Sequence, residues 1–405
     1  MFFNQINRLV PTRVQVMDQR YGSNFRNFMH NFFNHPQTNL LITSFILLIS
    51  VYASLIAISG QNILHPFSNV TSSTFSVDAV NEFTVSTFSL FFLTILSLIV
   101  GKILHYAKIP PLCGALLVGI VVINVPNLEE IFFINKHWEF IARKLGLVNI
   151  IVRWGISINA QYISHNPVLP ILLGLLSSAA EVAVIILASI CIFNISTPMA
   201  ILTGFLVATV SPAVSGPVMI KLNNKKLGTD KQIPSFVPAA CCFDNLFCLT
   251  LFSITASATF STEPLFPTLV RSIGEIVVGA IIGILIGWLL WWFPRQNENY
   301  THLMRSLLLA FLSTAIIIGA AALNYGYPGI IASLLICFIS TTRWRFDNEK
   351  KVRFIIIINR NFKALPVERT FNNLWNIVFT PLLFTLVGMK LKFSELSHIS
   401  KALSG

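Results

Sequence analysis

Apolar residues recur along this chain in runs close to the ~20 residues that a bilayer-crossing helix needs. Eleven runs read as candidate spans, at 40–59, 83–105, 109–125, 145–163, 168–193, 199–220, 234–258, 269–293, 303–323, 328–340 and 374–391. Some are shorter than a full crossing, and the fourth is the most polar because it holds Arg153. The pattern predicts an all-α polytopic membrane protein whose length is filled by helices rather than by several soluble domains. Its spans occupy 40–391, between an N-terminal segment at 1–39 and a short tail at 392–405.

Composition strengthens that reading. Of the 405 residues 54% are apolar and 11% charged, and the mean hydropathy is +0.73. A soluble domain carries about a quarter of its residues as charges. The deficit excludes a cytosolic enzyme, a coiled coil and a disordered chain. The net charge of +12 reflects loops rather than nucleic-acid binding, because cytoplasmic loops of membrane proteins collect Lys and Arg. With the N-terminus placed in the cytoplasm, 20 of the 28 basic residues fall on the cytoplasmic side and 7 on the other. The first outer loop, 61–82, has no Lys or Arg and carries the sequon Asn69-Val70-Thr71. Asn69 is therefore expected to be an external N-glycosylation acceptor. The sequon at Asn194 sits too close to the membrane for that role. All six cysteines lie inside apolar runs, so no disulfide framework is expected. No cleavable signal peptide precedes the first span.

Two neighbouring spans carry the candidate chemistry. In the sixth, Thr209-Val210-Ser211-Pro212-Ala213-Val214-Ser215-Gly216-Pro217 interrupts an apolar helix. Pro212 and Pro217 each remove a backbone donor, and Gly216 loosens the same turn. A break at membrane depth is tolerated where protein or a watery cavity satisfies the freed groups, as in the discontinuous helices of secondary transporters. A simple proline kink is the competing reading. In the seventh span, Asp244-Asn245 stands in an apolar helix. Inserting such an Asp costs on the order of 3 kcal/mol, which makes it a functional candidate. An interhelical hydrogen-bonded pair is the structural alternative. Cys241 and Cys248 flank Asp244 one turn away on either side, a spacing that permits a soft-metal site or plain packing. Glu181 lies mid-span in a small-residue run and needs a cationic partner or a proton. Glu275 has Arg271 four residues before it, as a surface pair would. No phosphate loop, nucleophile elbow or zinc motif occurs, so neither an enzyme nor a bound cofactor is expected.

In order along the chain, several landmarks together resemble one family. They are Ala180-Glu181-Val182, the Ser-Pro-Ala-Val core within 208–214, the polar link 228–234 and Phe243-Asp244-Asn245. Gly274-Glu275-Ile276-Val277-Val278-Gly279, Tyr325-Gly326-Tyr327-Pro328-Gly329 and Pro381-Leu382-Leu383-Phe384 with Val387-Gly388 complete the set. The chain beyond about residue 85 is similar to the NHA-type cation/proton antiporters, solute carrier family 9 subgroup B. The resemblance implies an inverted-repeat helical bundle with discontinuous helices, a homodimer, and exchange of sodium or lithium for protons. It implies Asp244 as the proton-binding site, with Asn245, Thr209 and Ser211 as ion ligands and no metal beyond the transported cation. Two departures accompany it. The family pair is usually Asp-Asp, or Asn-Asp in electroneutral relatives, where this chain has Asp-Asn. The family also continues for about three further helices, so a C-terminally incomplete bundle is expected, lacking a basic partner for Glu181. These departures motivate a second reading, a non-transporting membrane protein that keeps the fold for dimerisation or partner binding.

Overall fold

The computed structural model describes residues 36–59, 77–158, 160, 163, 166–210, 215, 218–219, 222, 225–260, 265–294, 301–323, 325–355 and 366–394. Asn69 and six residues of the proline-bearing segment, Ser211, Pro212, Ala213, Val214, Gly216 and Pro217, lie outside the described residues.

Every regular element among the described residues is helical. In chain order they are α1 Pro36–Ser59, α2 Val77–Tyr106, α3 Pro111–Asn124, the single turn α4 Leu128–Ile131, α5 Lys136–Ser157, α6 Val168–Cys191 and α7 Thr197–Ala208. There follow α8 Ile233–Phe260, α9 Leu265–Trp292, α10 Thr301–Ala322, α11 Gly326–Ile355, α12 Pro366–Leu374 and α13 Thr380–Gly388, the last two joined by a π-helical turn at Trp375–Phe379. Six helical stretches are long and apolar enough to cross a membrane, and the shorter Ile42–Ile58, Pro111–Asn124 and Thr197–Ala208 are also apolar.

Most expected spans match these helices within a few residues; four differ. Of the sixth, 199–220, α7 covers only the part up to Ala208. The fourth forms α5, which starts at Lys136 and ends at Ser157, earlier than the apolar run, because its first turns are charged and amphipathic. α11 continues past Ser340 to Ile355. Its second half is rich in Arg, Lys and Glu, which are good helix formers, and contains neither Gly nor Pro. The last span starts at Pro366, on an amphipathic turn that burial of Val367 and Phe371 holds in place.

The chain divides into two compact units. The first comprises Met1–Ser50, Trp154–Leu309 and Leu323–Asn361. Here α6 packs on α7 and α8, α8 on α9, and α9 on α11. The Thr250 and Tyr327 hydroxyls share a hydrogen bond that ties α8 to α11. Arg305 is buried with its guanidinium 4.7 Å from the Trp344 ring centroid, and Trp344 Nε1 donates to Leu290 O at 3.3 Å.

The second unit comprises Val51–Arg153, Ala310–Ala322 and Phe362–Gly405, with α3 packed on α2 and α13. That contact depends on two glycines: a Cβ on Gly119 would lie 2.1 Å from Thr385 O, and one on Gly388 would lie 2.2 Å from Leu116 O. Small residues let membrane helices approach this closely, and the Ser97 and Thr385 hydroxyls meet at 2.6 Å beside them. At one end of the unit Asn124 donates to Leu391 O at 2.7 Å and accepts from Phe393 N at 2.8 Å. Large apolar side chains such as Phe88, Phe91, Leu172, Leu176 and Leu285 are exposed. Such faces suit a hydrocarbon solvent.

Candidate ion-binding site

The site forms in the first unit, where α6, the end of α7 and α8 converge. Gly174 allows the approach of α6 to α8, since a Cβ there would meet Ala240 O at 2.6 Å and Asp244 N at 3.0 Å. One turn along α6, Ser178 lies on the same face. Its hydroxyl contacts Gly174 O and donates to Asp244 Oδ1.

α7 stops at Ala208, and Thr209 takes an extended conformation, φ −61° and ψ 120°. α7 thus ends just before the proline-bearing segment. The extended turn frees the peptide groups of Val210 from the helical ladder, and the polar pair on α8 takes them up. Val210 N donates to Asp244 Oδ2 at 2.9 Å, and Val210 O accepts from Asn245 Nδ2 at 2.7 Å. Asn245 Nδ2 also donates to Cys241 O at 2.7 Å. The two side chains thus read opposite ends of one residue: the carboxylate answers the N–H and the amide answers the carbonyl. Both are 3% exposed. With Nδ2 spent on carbonyls, the oxygen of the Asn245 amide is its acceptor.

Cys248, fully buried, brings its Sγ within 3.5 Å of Asp244 Oδ1. Around it Val182 and Ala208 form a small core, flanked by Phe205 and Phe247, whose rings meet edge-on at 6.3 Å. This apolar wall shields one side of the carboxylate, where charge interactions are strong because little water screens them. Among the described residues no cationic side chain pairs with Asp244.

The remaining sequence candidates are placed as follows. Thr209 donates its hydroxyl to Leu206 O at 2.8 Å. Glu181 is exposed on α6, three residues beyond Ser178. Glu275 pairs with Arg271 at 3.1 Å. Cys241 and Cys248 are free thiols, and no group of three or more His, Cys, Asp or Glu side chains is assembled for a metal among the described residues. Two contributors were not singled out from sequence: Ser178 and the backbone of Val210. Ser178 lies 66 positions from Asp244 and gives no local signal beyond its place in a small-residue run.

A polytopic bundle with a discontinuous helix and a buried carboxylate at the break defines a multi-pass membrane protein of the sodium/proton antiporter fold. The sodium/hydrogen exchanger transmembrane family model matches residues 91–404, and the chain belongs to that family. It is 27% identical over 315 residues to sodium/hydrogen exchanger 9B1 of Homo sapiens, covering 76% of this chain and 58% of that protein. It is 28% identical to sodium/hydrogen exchanger 9B2 of Xenopus tropicalis, over 73% of this chain and 53% of the relative. The chain thus spans a little over half the length of these relatives. The sodium proton antiporter MjNhaP1 from Methanocaldococcus jannaschii superposes with a TM-score of 0.55 at 17% identity, over 78% of this chain and 72% of that one. This likeness supports the fold.

Proposed function

We propose that this chain exchanges a monovalent cation, sodium or lithium, for protons across a bilayer, as a homodimer with its N-terminus in the cytoplasm. Its similarity to sodium/hydrogen exchangers 9B1 and 9B2 supports the reaction class. The observation that carries it is the Asp244 carboxylate, buried beside the end of α7 and held at both oxygens, with no cationic side chain paired to it among the described residues. Such a group must take a proton or a cation to be neutralised, so the two compete for one site. Asn245 Oδ1 supplies a second oxygen for the cation but exchanges no proton. Thr209 and Ser211 remain further proposed ligands, and Glu181 the nearby intramembrane acid. Segment 1–39 is proposed as a cytoplasmic N-terminal segment and 392–405 as a short C-terminal tail of the membrane domain.

The test is sodium- or lithium-driven proton release from proteoliposomes under an imposed pH gradient. Wild-type protein is expected to release protons on cation addition, and Asp244→Asn to lose that response while keeping its detergent melting profile. Undiminished, pH-dependent release in Asp244→Asn would sink the assignment and move attention to Glu181.

A further inference from the structure

The second unit contains a polar level that the ion site does not use. Asn149, on α5, is 2% exposed, and neither its Nδ2 nor its Oδ1 has a hydrogen-bond partner. Thr380, at the start of α13, has a buried Oγ1 that is likewise unpartnered. Several helix hydroxyls are settled locally, since Thr255, Thr314 and Thr385 each donate to the carbonyl four residues back; Thr43 and Ser333, in the first unit, share with Thr380 a buried hydroxyl without a partner. Thr380 follows the π turn, where its own N–H bonds to Trp375 O, five residues back, and its hydroxyl makes no such bond.

Contacts on both sides place the two residues at one level. A Cβ on Gly146 would sit 2.4 Å from Leu383 Cδ1, so these residues touch. Arg153 Nε donates to Asn372 Oδ1 at 2.8 Å, with its guanidinium 5.1 Å from the Trp375 ring centroid. Asn149 lies between Gly146 and Arg153 on the same face of α5, three residues after one and four before the other. Thr380 lies between Trp375 and Leu383 on the opposing segment. The antiparallel register therefore brings the Asn149 amide opposite the π turn and Thr380.

We propose that Asn149 and Thr380 bind an ordered water molecule inside the second unit, at the π-helical turn. Buried polar groups are almost always bonded, and a buried water typically serves two to four of them. The mixed chemistry selects water over an ion. A cation would face the Nδ2 hydrogens with the Arg153 guanidinium one turn away, and an anion would face the Oδ1 lone pairs. Water donates to Oδ1 and accepts from Nδ2 or the Thr380 hydroxyl. The π turn follows the same logic, because such turns leave backbone groups that a local polar guest can serve.

Radiolytic hydroxyl labelling in H₂¹⁸O of the full chain in nanodiscs tests this, since bound water oxidises the side chains around it. Trp375, buried and on this level, is the reporter, and Tyr106, 90% exposed at the last residue of α2, is the control. Wild type is expected to take up ¹⁸O at Trp375, and Asn149→Leu to lose at least half of that uptake with Tyr106 unchanged. Thr380→Val, a smaller change that keeps the shape, is expected to reduce it as well. Absence of Trp375 labelling in wild type while Tyr106 is labelled overturns the proposal. So does labelling that both variants leave unchanged. A melting temperature that rises with chloride over gluconate in wild type, but not in Asn149→Leu, identifies an anion and overturns it too.

Discussion

Asp244 and Asn245 differ by one atom type, and the structure gives each a reason. Val210, released by the break after α7, offers one N–H and one carbonyl, and the acid takes the first while the amide takes the second. Asn245→Asp, which recreates the usual Asp-Asp pair, would set a carboxylate oxygen against the carbonyls of Val210 and Cys241. The variant is expected to be less stable than wild type by on the order of 3 kcal/mol near pH 8, through two lost bonds and a repulsive contact. The deficit should shrink as pH falls, because a protonated carboxyl can donate to one carbonyl again. Detergent melting curves at pH 5 and pH 8 check this, and wild-type stability at pH 8 would show that the amide is oriented otherwise. Ser178 acts on the other oxygen. Ser178→Ala removes a hydroxyl donor to the buried carboxylate and is expected to cost about 2 kcal/mol of stability in detergent melts. Ser178→Thr, which keeps a hydroxyl, is expected to restore most of that loss. Equal losses in the two variants would reduce Ser178 to a packing residue.

The helices themselves were largely legible, and the site's assembly was not. Apolar runs marked α6, α8, α9 and α10 almost to their ends, and the proline-rich segment marked the break after Ala208. Hydropathy measures burial in lipid rather than helix formation, so it missed the charged half of α11 and the amphipathic start of α5. Convergence was invisible for another reason: Ser178 and Asp244 meet through a helix crossing, and crossings depend on shape. Gly174 is the residue that sets this one. Gly174→Ala should drive α6 from α8 against the Ala240 carbonyl, at a cost of about 2 kcal/mol, and should weaken the Ser178–Asp244 contact. Gly274 on α9 has nothing within 4 Å of an added Cβ. Gly274→Ala is therefore expected to be neutral or stabilising by up to about 1 kcal/mol. Paired melts of these two variants compare a crossing glycine with an idle one, and equal losses would contradict the assigned crossing.

At the scale of the whole molecule, sidedness follows from charge rather than from packing. The proposed orientation places 20 of 28 basic residues in the cytoplasm and 7 outside, an imbalance that orients helical membrane proteins because Lys- and Arg-rich loops resist translocation. The loop at 61–82 is free of Lys and Arg and carries the Asn69 sequon, so the same argument sends it across. In a eukaryotic membrane the chain is therefore expected to carry a glycan that peptide N-glycosidase removes and that Asn69→Gln abolishes. The second sequon, at Asn194, follows directly after α6, and Asn194→Gln should leave the glycan pattern unchanged. Sealed vesicles supply an independent reading that does not require glycosylation. A protease site inserted in 61–82 should be cut only from the luminal side, and one inserted before residue 36 only from the cytosol. The reverse pattern would invert every span and place the basic second half of α11 outside, against the charge imbalance.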